Sequence, residues 1–247
     1  MNNNVPISIV LPAHNEEGNI KKTVEEVFYF FEGHNVFSQY EIIVVDDGST
    51  DQTPIILKEL EKRIECLVVV NHSNNLGYGG ALISGLRKAR FSWVVIMDAD
   101  GQFRINSICS MFDYMSRYDI ITGCRNNRSD SWCRIILGRS YAILASIIFG
   151  LKIKDINCGF KLFKKDALDF KRASCHAGVF FTDVFITAKV KGLKVKEVPI
   201  EHFSRLKGRQ SGASLKVIFM SLIDVIRLFF NVRTNYNRET VQDGRKI

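Results

Sequence analysis

The segment Met97-Asp98-Ala99-Asp100-Gly101-Gln102 places two carboxylates two positions apart, directly after the apolar run 93–97. Carboxylates at positions i and i+2 of an extended chain can converge on one hard cation that keeps open positions for phosphate oxygens. Asp98 and Asp100 are therefore candidate ligands for Mg²⁺ or Mn²⁺ bridging a diphosphate. The alternative is a solvated turn, but the position of the segment after an apolar run favours the metal site.

A second acidic pair, Asp46 and Asp47, follows the apolar run 41–45 and precedes Gly48. Such a loop can accept hydrogen bonds from a base or a ribose at a strand end. Because its carboxylates would repel a bare phosphate, the nucleoside end of a ligand fits this loop better. A Ser49/Gln52 capping box predicts that a helix starts here, and a simple cap and turn is the alternative for the whole segment.

The glycine-rich segment 74–81, NNLGYGGA, suggests a dinucleotide site but does not complete the pattern. The third glycine of G-x-G-x-x-G would fall at Leu82, and the chain has no G-x-x-x-x-G-K-[ST] loop. The sequence therefore argues against redox cofactors and against ATP-driven motor chemistry.

Strand-length apolar runs alternate with helical spacing in the first half of the chain. The predicted strands are 6–11, 41–45, 67–70, 93–97 and 119–122. The predicted helices are 17–31, 51–63, 79–90 and 105–117. This alternation predicts an α/β fold with a largely parallel, doubly wound sheet flanked by helices. Ligands of such sheets bind at the carboxyl ends of the strands, where both acidic loops lie.

Charge is divided unequally along the chain. Residues 1–116 carry 9 basic and 15 acidic side chains, whereas residues 117–247 carry 25 and 11. The second half therefore favours anionic partners, such as phosphorylated substrates or anionic lipid head groups, over a merely solvated basic surface. Nucleic acid is not expected as a partner, because aromatic residues are not interleaved with the basic ones as in a stacking platform.

Two apolar helical stretches in the second half predict contact with a membrane surface. Arg139 interrupts the stretch 134–151, and three charges interrupt the stretch 213–230, which argues against a transmembrane span and for interfacial helices. Packing on the protein's own core or in a homo-oligomer is an equal alternative. We expect one domain over residues 1–230, made of an acidic half (1–116) and a basic half (117–230), followed by a polar tail (231–247).

Cysteine usage and the amino terminus predict a cytoplasmic location. The six cysteines include no CxxC pair, so neither a zinc site nor a disulfide framework is expected. The start, MNNNVPISIV, lacks the basic and apolar regions of a secretory signal. With the apolar stretches, this predicts a peripheral protein on the inner face of the membrane.

Several segments in a fixed order resemble the family 2 glycosyltransferases of GT-A fold, most closely the dolichyl- or polyprenyl-phosphate sugar synthases. They are LPAHNE at 11–16, VVDDGSTDQT at 44–53, NLGYGGALISGLRKA at 75–89, MDADGQ at 97–102, GCR at 123–125, NCGFKLFKK at 157–165 and EVPIEHFSR at 197–205. The resemblance covers about residues 5–230, and it implies a nucleotide-sugar-binding half (1–116) and an acceptor half facing the membrane (117–230).

The resemblance implies a role for each matching position. The nucleotide's base and ribose would be held by Pro12, His14, Glu16 and Asp46 or Asp47. The metal and the donor diphosphate would be bound by Asp98, Ala99, Asp100 and Gln102. The phosphates of the donor and of a lipid acceptor would be contacted by Arg125, Arg139 and Arg205. Catalysis would depend on Asp100, Arg125 and Asp183.

The chain departs from the family pattern at its acceptor end. Asp183 stands where the family usually has Glu, and Gln102 is followed by Phe-Arg-Ile rather than by a His-Pro-Pro type segment. The segment after Arg205 lacks the Lys that the family tends to place there, and Arg209 or Lys216 are candidates to replace its charge.

The reaction that the resemblance implies is inverting transfer of a sugar from a nucleotide-diphospho-sugar to a polyprenyl phosphate. A competing acceptor is a hydroxyl of a glycolipid or polysaccharide, which needs a general base, and Asp183 could serve as that base. A non-catalytic nucleotide-sugar-binding protein is a further alternative, against which the intact DADGQ segment argues.

Overall fold

The structure is a computed structural model that describes residues 5–34, 37–126, 132–167 and 179–205, together with Lys207 and Leu228. Within these ranges the strands are β1 (Ile7–Ala13), β2 (Tyr40–Asp46), β3 (Leu67–Asn71), β4 (Trp93–Met97), β5 (Ile120–Asn126), β6 (Phe160–Lys164) and β7 (Val195–Glu201). The helices are α1 (Ile20–Gly33), α2 (Thr53–Glu61), α3 (Gly77–Lys88), α4 (Cys109–Phe112), α5 (Trp132–Phe149) and α6 (Phe180–Val190).

The strands form one sheet in the order β3-β2-β1-β4-β6-β5-β7. Strands β1, β2, β3 and β4 pair in parallel, as do β5 and β7. Strand β6 runs antiparallel to both of its neighbours, β4 and β5. The predicted α/β fold with a mostly parallel sheet is thereby confirmed, with β6 as the antiparallel exception.

Helices cover both faces of the sheet. Successive side chains of each strand point to opposite sides, so both sets of side chains are buried. Ile9 and Val44 contribute to a core cluster with α1 and α2, whereas Val10 and Val45 contribute to a second cluster with α3, α5 and α6. Continuous apolar runs such as IIVV are therefore required in the central strands.

Three sequence expectations differ from the structure. The predicted helix 105–117 is a 3₁₀ turn followed by the four-residue α4, and the N–H groups of Tyr114 and Met115 bond three residues back rather than four. Strand β5 extends beyond the predicted 119–122, because its pairing with β7 continues to Asn126 and Glu201. Helix α2 starts at Thr53 without the predicted capping box, because the Ser49 hydroxyl accepts from Asn15 N and Asp51 accepts from Thr53 N.

No helix in the described part of the chain is long and apolar enough to cross a bilayer. The predicted interfacial stretch 213–230 lies outside the described residues except for Leu228, which is buried in the second core cluster. Arg209, Lys216 and the tail 231–247 also lie outside the described residues.

Candidate active site

The loops after β1, β2 and β4 meet at the carboxyl edge of the sheet. Strand β1 lies between the other two, and Ala13 at its end is in register with Asp46 at the end of β2. The His14 ring donates from Nδ1 to the Asp47 carbonyl oxygen at 2.9 Å. The topology therefore brings the two acidic loops and the LPAHNE segment to one edge, as the sequence predicts.

The loops after β1 and β2 are held in shape by hydrogen bonds from main-chain N–H groups to side-chain oxygens. Pro12 is buried in β1, in register with Val45. Asn15 has a left-handed backbone (φ 55°), and its side-chain oxygen accepts from Thr50 N at 2.8 Å. Asp46 Oδ1 accepts from Ser49 N at 3.1 Å. These bonds connect the loops after β1 and β2 into one wall of the site.

The buried Asp47 carboxylate ties three elements together. Its Oδ1 accepts from Leu76 N at 2.8 Å, just before α3, and from His72 Nδ1 at 2.7 Å, just after β3. His72 Nε2 lies 2.9 Å from the Ser84 hydroxyl on α3. Because a carboxylate only accepts, His72 Nδ1 is the donor in its bond to Asp47.

Asp98 begins the second acidic loop and is enclosed by protein. Its N–H donates to the Gly159 carbonyl oxygen at 3.2 Å, and its Oδ1 accepts from the Tyr78 hydroxyl at 2.6 Å. A Cβ on Gly159 would overlap the Asp98 carboxylate, so only glycine fits there. Burial, followed by the negative charge of Asp100, raises the pKa of Asp98 to about 7.

The rest of the second acidic loop is connected to the end of β7. Asp100 Oδ1 accepts from Gln102 N at 3.0 Å, and Gln102 Nε2 donates to the Phe203 carbonyl oxygen at 3.2 Å. Arg205 donates from Nη2 to Glu16, and its Nη1 lies 3.6 Å from Asp100 Oδ2. Burial raises the pKa of Glu16, and the Arg205 charge opposes that shift. Arg205 therefore links the loop after β1 to the second acidic loop.

The loop fits a divalent cation by the chemistry of its donor set. Asp98 and Asp100 are close enough for each charge to oppose the other, and a bound cation would relieve this repulsion. In the described part of the chain, no three His, Cys, Asp or Glu side chains form a complete cation site. The Gln102 side chain and substrate oxygens would have to supply further ligands.

Arg125 and Arg139 both line a cleft of about 980 Å³ between the end of β5, helix α5 and residues 151–155. The cleft is also lined by the apolar side chains of Ile135, Ala142, Ile143, Leu151 and Ile153. The Arg125 charge lowers the pKa of Asp98, so the cleft adjoins the second acidic loop. An anionic group with an apolar tail matches this lining.

Arg125 is held by a residue that sequence reasoning missed. Its Nε and Nη2 donate to the two carboxylate oxygens of Asp155 at 2.7 and 2.8 Å, and only 9% of its side chain is exposed. Glu197 accepts from the main-chain N–H of Lys154 and of Asp155. Asp155 lies two residues before Asn157, the first residue of the NCGFK motif, and this position was its only signal in the sequence.

Asp183 lies in the first turn of α6. This turn reaches the site through Phe181, whose ring packs against Tyr78 at 6.0 Å between centroids. The role of Asp183 remains a prediction.

Three further residues, Tyr78, Gly159 and Lys161, surround Asp98 and were not singled out by sequence reasoning. All three belong to motifs that carried the family resemblance, NLGYGGA and NCGFK, without an assigned role. Lys161 could have been found as the one charge within the apolar run Phe160–Phe163, where a strand pattern predicts burial.

Comparison with known proteins identifies the family. The pattern of glycosyl transferase family 2 matches residues 8–170. A dolichyl-phosphate beta-glucosyltransferase of Trichomonas vaginalis is 30% identical over 94% of this chain and 75% of its own length. An undecaprenyl-phosphate 4-deoxy-4-formamido-L-arabinose transferase of Edwardsiella ictaluri is 27% identical over 86% of this chain and 64% of its own length.

A similar solved structure supports the fold. Glucosyl-3-phosphoglycerate synthase from Mycobacterium tuberculosis, solved with Mn²⁺, UDP-glucose and glycerol 3-phosphate, superposes with a TM-score of 0.66 at 18% identity. The match covers 89% of this chain and 79% of that one, and it confirms the GT-A-like fold. From the matched residues and these relatives, the chain belongs to glycosyl transferase family 2 and is a glycosyltransferase.

Proposed function

We propose that the protein transfers a sugar, with inversion, from a nucleotide-diphospho-sugar to the phosphate of a polyprenyl or dolichyl lipid. The observation that carries this proposal is the cleft in which Arg125 and Arg139 lie beside apolar side chains, next to the second acidic loop. A guanidinium suits a phosphate, and the apolar lining suits the first isoprene units of a lipid.

The relatives support the acceptor and the donor separately. The Trichomonas and Edwardsiella proteins are named for dolichyl phosphate and undecaprenyl phosphate acceptors. The Mycobacterium structure contains UDP-glucose and Mn²⁺. We infer a UDP- or GDP-sugar as donor for this chain.

The donor site would orient the nucleotide across the edge of the sheet. The base and ribose would lie on the wall made by Pro12, His14 and the first acidic loop, and Glu16 would complete it. Mg²⁺ or Mn²⁺, held by Asp98 and Asp100 with Gln102, would supply positive charge to the diphosphate leaving group. Ala99 is fully buried between the two carboxylates, and its carbonyl oxygen accepts from the Thr23 hydroxyl, which fixes the loop to α1.

In the transfer step, an oxygen of the lipid phosphate attacks the anomeric carbon as the bond from that carbon to the nucleoside diphosphate breaks. A phosphate monoester is largely dianionic at neutral pH, since its second pKa is about 6, and needs no general base. Arg125 and Arg139 would hold the acceptor phosphate, and Arg205 would stabilise charge on the donor side.

Helix α5 supports location at a membrane surface, and we propose that this is the cytoplasmic face. Trp132, Ile136, Ile143 and Ile147 are between 50% and 77% exposed, and their spacing places them in one stripe along the helix. Arg139, which lines the cleft, lies within the same stripe. An apolar stripe with a basic residue suits the head-group region of a bilayer, from which a lipid acceptor would enter the cleft.

A hydroxyl acceptor is the second candidate, favoured by a carboxylate, Asp183, on the first turn of α6. The test is to incubate the purified protein and Mn²⁺ or Mg²⁺ with polyprenyl phosphate and a panel of UDP- and GDP-sugars, and to detect product by mass spectrometry. We expect a phosphate-linked glycolipid with wild type and none with Asp100→Ala, while Asp113→Ala, a change at an exposed carboxylate, remains active. Donor binding without this product across the panel would contradict the proposal and favour a hydroxyl acceptor.

A further inference from the structure

Lys161 is a buried lysine that the proposed reaction does not use. It lies in β6, in register with Ile96 of β4 and Thr122 of β5, and is only 1% exposed. Burying an ammonium group is costly unless hydrogen bonds or other charges compensate. Its position in the centre of the sheet therefore requires a specific set of partners.

Main-chain oxygens and aromatic rings supply that compensation. Lys161 Nζ donates to the carbonyl oxygens of Ile156, at 3.1 Å, and of Cys158. It also lies 3.9 Å from the ring centroid of Phe181 on α6. Lys161 thus connects residues 156–159, which we call the β6 turn, to the first turn of α6.

The β6 turn contacts Asp98 directly, and Phe181 contacts it through Tyr78. Gly159, the last residue of the turn, accepts from Asp98 N and leaves no room for a Cβ beside the carboxylate. Phe181 packs edge-on against the ring of Tyr78, whose hydroxyl donates to Asp98 Oδ1. The two supports of the Asp98 side chain therefore meet at the Lys161 ammonium group.

We propose that Lys161 is a positioning residue of the donor site, which fixes the β6 turn and the Phe181 ring and through them the orientation of the Asp98 carboxylate. The inference rests on the proposed function in one respect, that Asp98 binds a divalent cation. Lys161 would then control the affinity for the cation and the donor without contacting either, and would leave acceptor affinity unchanged. A misplaced cation ligand weakens binding even when the fold is intact.

The test is a Mn²⁺ titration in the presence of UDP, with free Mn²⁺ measured by electron paramagnetic resonance. Lys161→Met keeps the length of the side chain and removes its donors, and we expect it to raise the Mn²⁺ dissociation constant about tenfold. Lys161→Arg keeps a cation and donors, and we expect it to restore most of that affinity. Lys164→Met is the matched control, because Lys164 is on the same strand but pairs with Asp119.

The outcomes separate this inference from the proposed function. Wild type that binds Mn²⁺ with neither UDP nor GDP, or an Asp98→Ala variant that binds as wild type does, would contradict the donor site itself. Wild-type affinity in a folded Lys161→Met variant would overturn only the role of Lys161. Lys161→Gln, which keeps one donor group, is expected to show a smaller loss in the same direction. If neither Met nor Gln folds at this position while Lys164→Met does, Lys161 serves stability alone and the inference is overturned.

Discussion

At the residue scale, the structure divides the arginines implied by the resemblance into two environments. Arg125 and Arg139 line one cleft, but Arg125 is held by Asp155 whereas Arg139 is exposed on α5. Arg205 lies apart from both, between Glu16 and Asp100. Replacing each of these three arginines by alanine should therefore affect the kinetics of the enzyme differently.

Arg139→Ala should weaken use of a lipid-phosphate acceptor and leave the donor KM unchanged. Losing a hydrogen bond to a charged group costs about 1.5–3 kcal/mol, so we expect the acceptor KM to rise about 10- to 100-fold. Steady-state kinetics with each substrate varied in turn would measure this. Arg63→Ala, at a side chain that is 62% exposed, is the control and should behave as wild type. Unchanged acceptor kinetics for Arg139→Ala would remove it from the site.

The raised pKa of Asp98 predicts that cation binding depends on pH. With a pKa of about 7, the carboxyl is mostly protonated at pH 6 and mostly ionised at pH 8. Only the carboxylate binds a hard cation, so Mn²⁺ affinity with UDP should fall about tenfold from pH 8 to pH 6. Isothermal titration calorimetry at both values would measure it. An affinity that is flat over this range would show that Asp98 is already ionised at pH 6.

The same shift has a consequence for stability without metal. A carboxyl whose pKa is raised on folding costs nothing below its unfolded pKa of about 4, and its cost grows until the pH passes the folded value. Asp98 therefore destabilises the metal-free protein increasingly between about pH 4 and pH 7, and the cost is complete above about pH 7. A bound cation should remove this cost, so the gain in Tm from Mn²⁺ and UDP should be larger at pH 8 than at pH 6.

At the element scale, the close approach of α3 to the sheet depends on a glycine. A Cβ on Gly85 would overlap Val10 Cγ1 and lie 3.1 Å from Val45 Cγ2. Gly85→Ala should therefore lower the free energy of unfolding by about 1–3 kcal/mol, as measured by urea denaturation. Gly33→Ala at the end of α1 is the control, since its Cβ would meet nothing within 4 Å. Equal stability of the two variants would contradict the tight packing of α3.

The apolar stripe of α5 predicts a separate effect on membrane binding. Ile147 is 77% exposed, and placing a charge there opposes insertion among lipid head groups and chains. Because burying such a side chain contributes about 1.5–3 kcal/mol, Ile147→Glu should weaken binding to vesicles at least about tenfold. Sedimentation with vesicles would measure it. Tyr29→Glu, at another exposed apolar residue on α1, should bind as wild type. Equal loss in both variants would argue against a specific role of the stripe.

The elements that the sequence predicts well are those with one dominant pattern. The first four strands read as continuous apolar runs because helices cover both faces, and α1 and α3 show clear helical spacing. Strand β6 was missed because Lys161 interrupts it, and burial of a lysine depends on carbonyl groups that no local pattern reveals. Strand β7 was missed because it contains Pro199 and charges, which an edge strand tolerates.

The sequence predicts the residues of the candidate site that directly follow strands. It predicts less well the contacts that depend on how distant segments pack together. The acidic loops and His14 lie together because parallel strands share a carboxyl edge. The pairing of Arg125 with Asp155 and the contact of Gly159 with Asp98 depend on the antiparallel return of β6, which the sequence did not predict. The candidates to replace the missing Lys after Arg205, Arg209 and Lys216, lie outside the described residues.

At the scale of the whole molecule, charge divides the chain into an acidic half and a basic half. The acidic loops come from residues 1–116, which carry a net negative charge, and the arginine cleft and α5 come from the basic residues beyond 116. In the proposed reaction, a donor diphosphate would need a cation at the acidic edge, whereas an acceptor phosphate would meet positive charge supplied by the chain itself. This division supports the proposal that one site binds two anionic substrates side by side.

The same division predicts how membrane binding responds to salt. Residues 117–247 carry 25 basic and 11 acidic side chains, so attraction to anionic lipid should contribute on top of the apolar stripe. The screening length falls from about 10 Å at 0.1 M salt to about 3 Å at 1 M, so the electrostatic part should be lost while the apolar part remains. We expect binding to vesicles with anionic lipid to fall at least about tenfold over this range and to level off at the affinity for neutral vesicles. Affinity for anionic vesicles that does not change with salt would show that the basic half faces the acceptor alone and not the membrane.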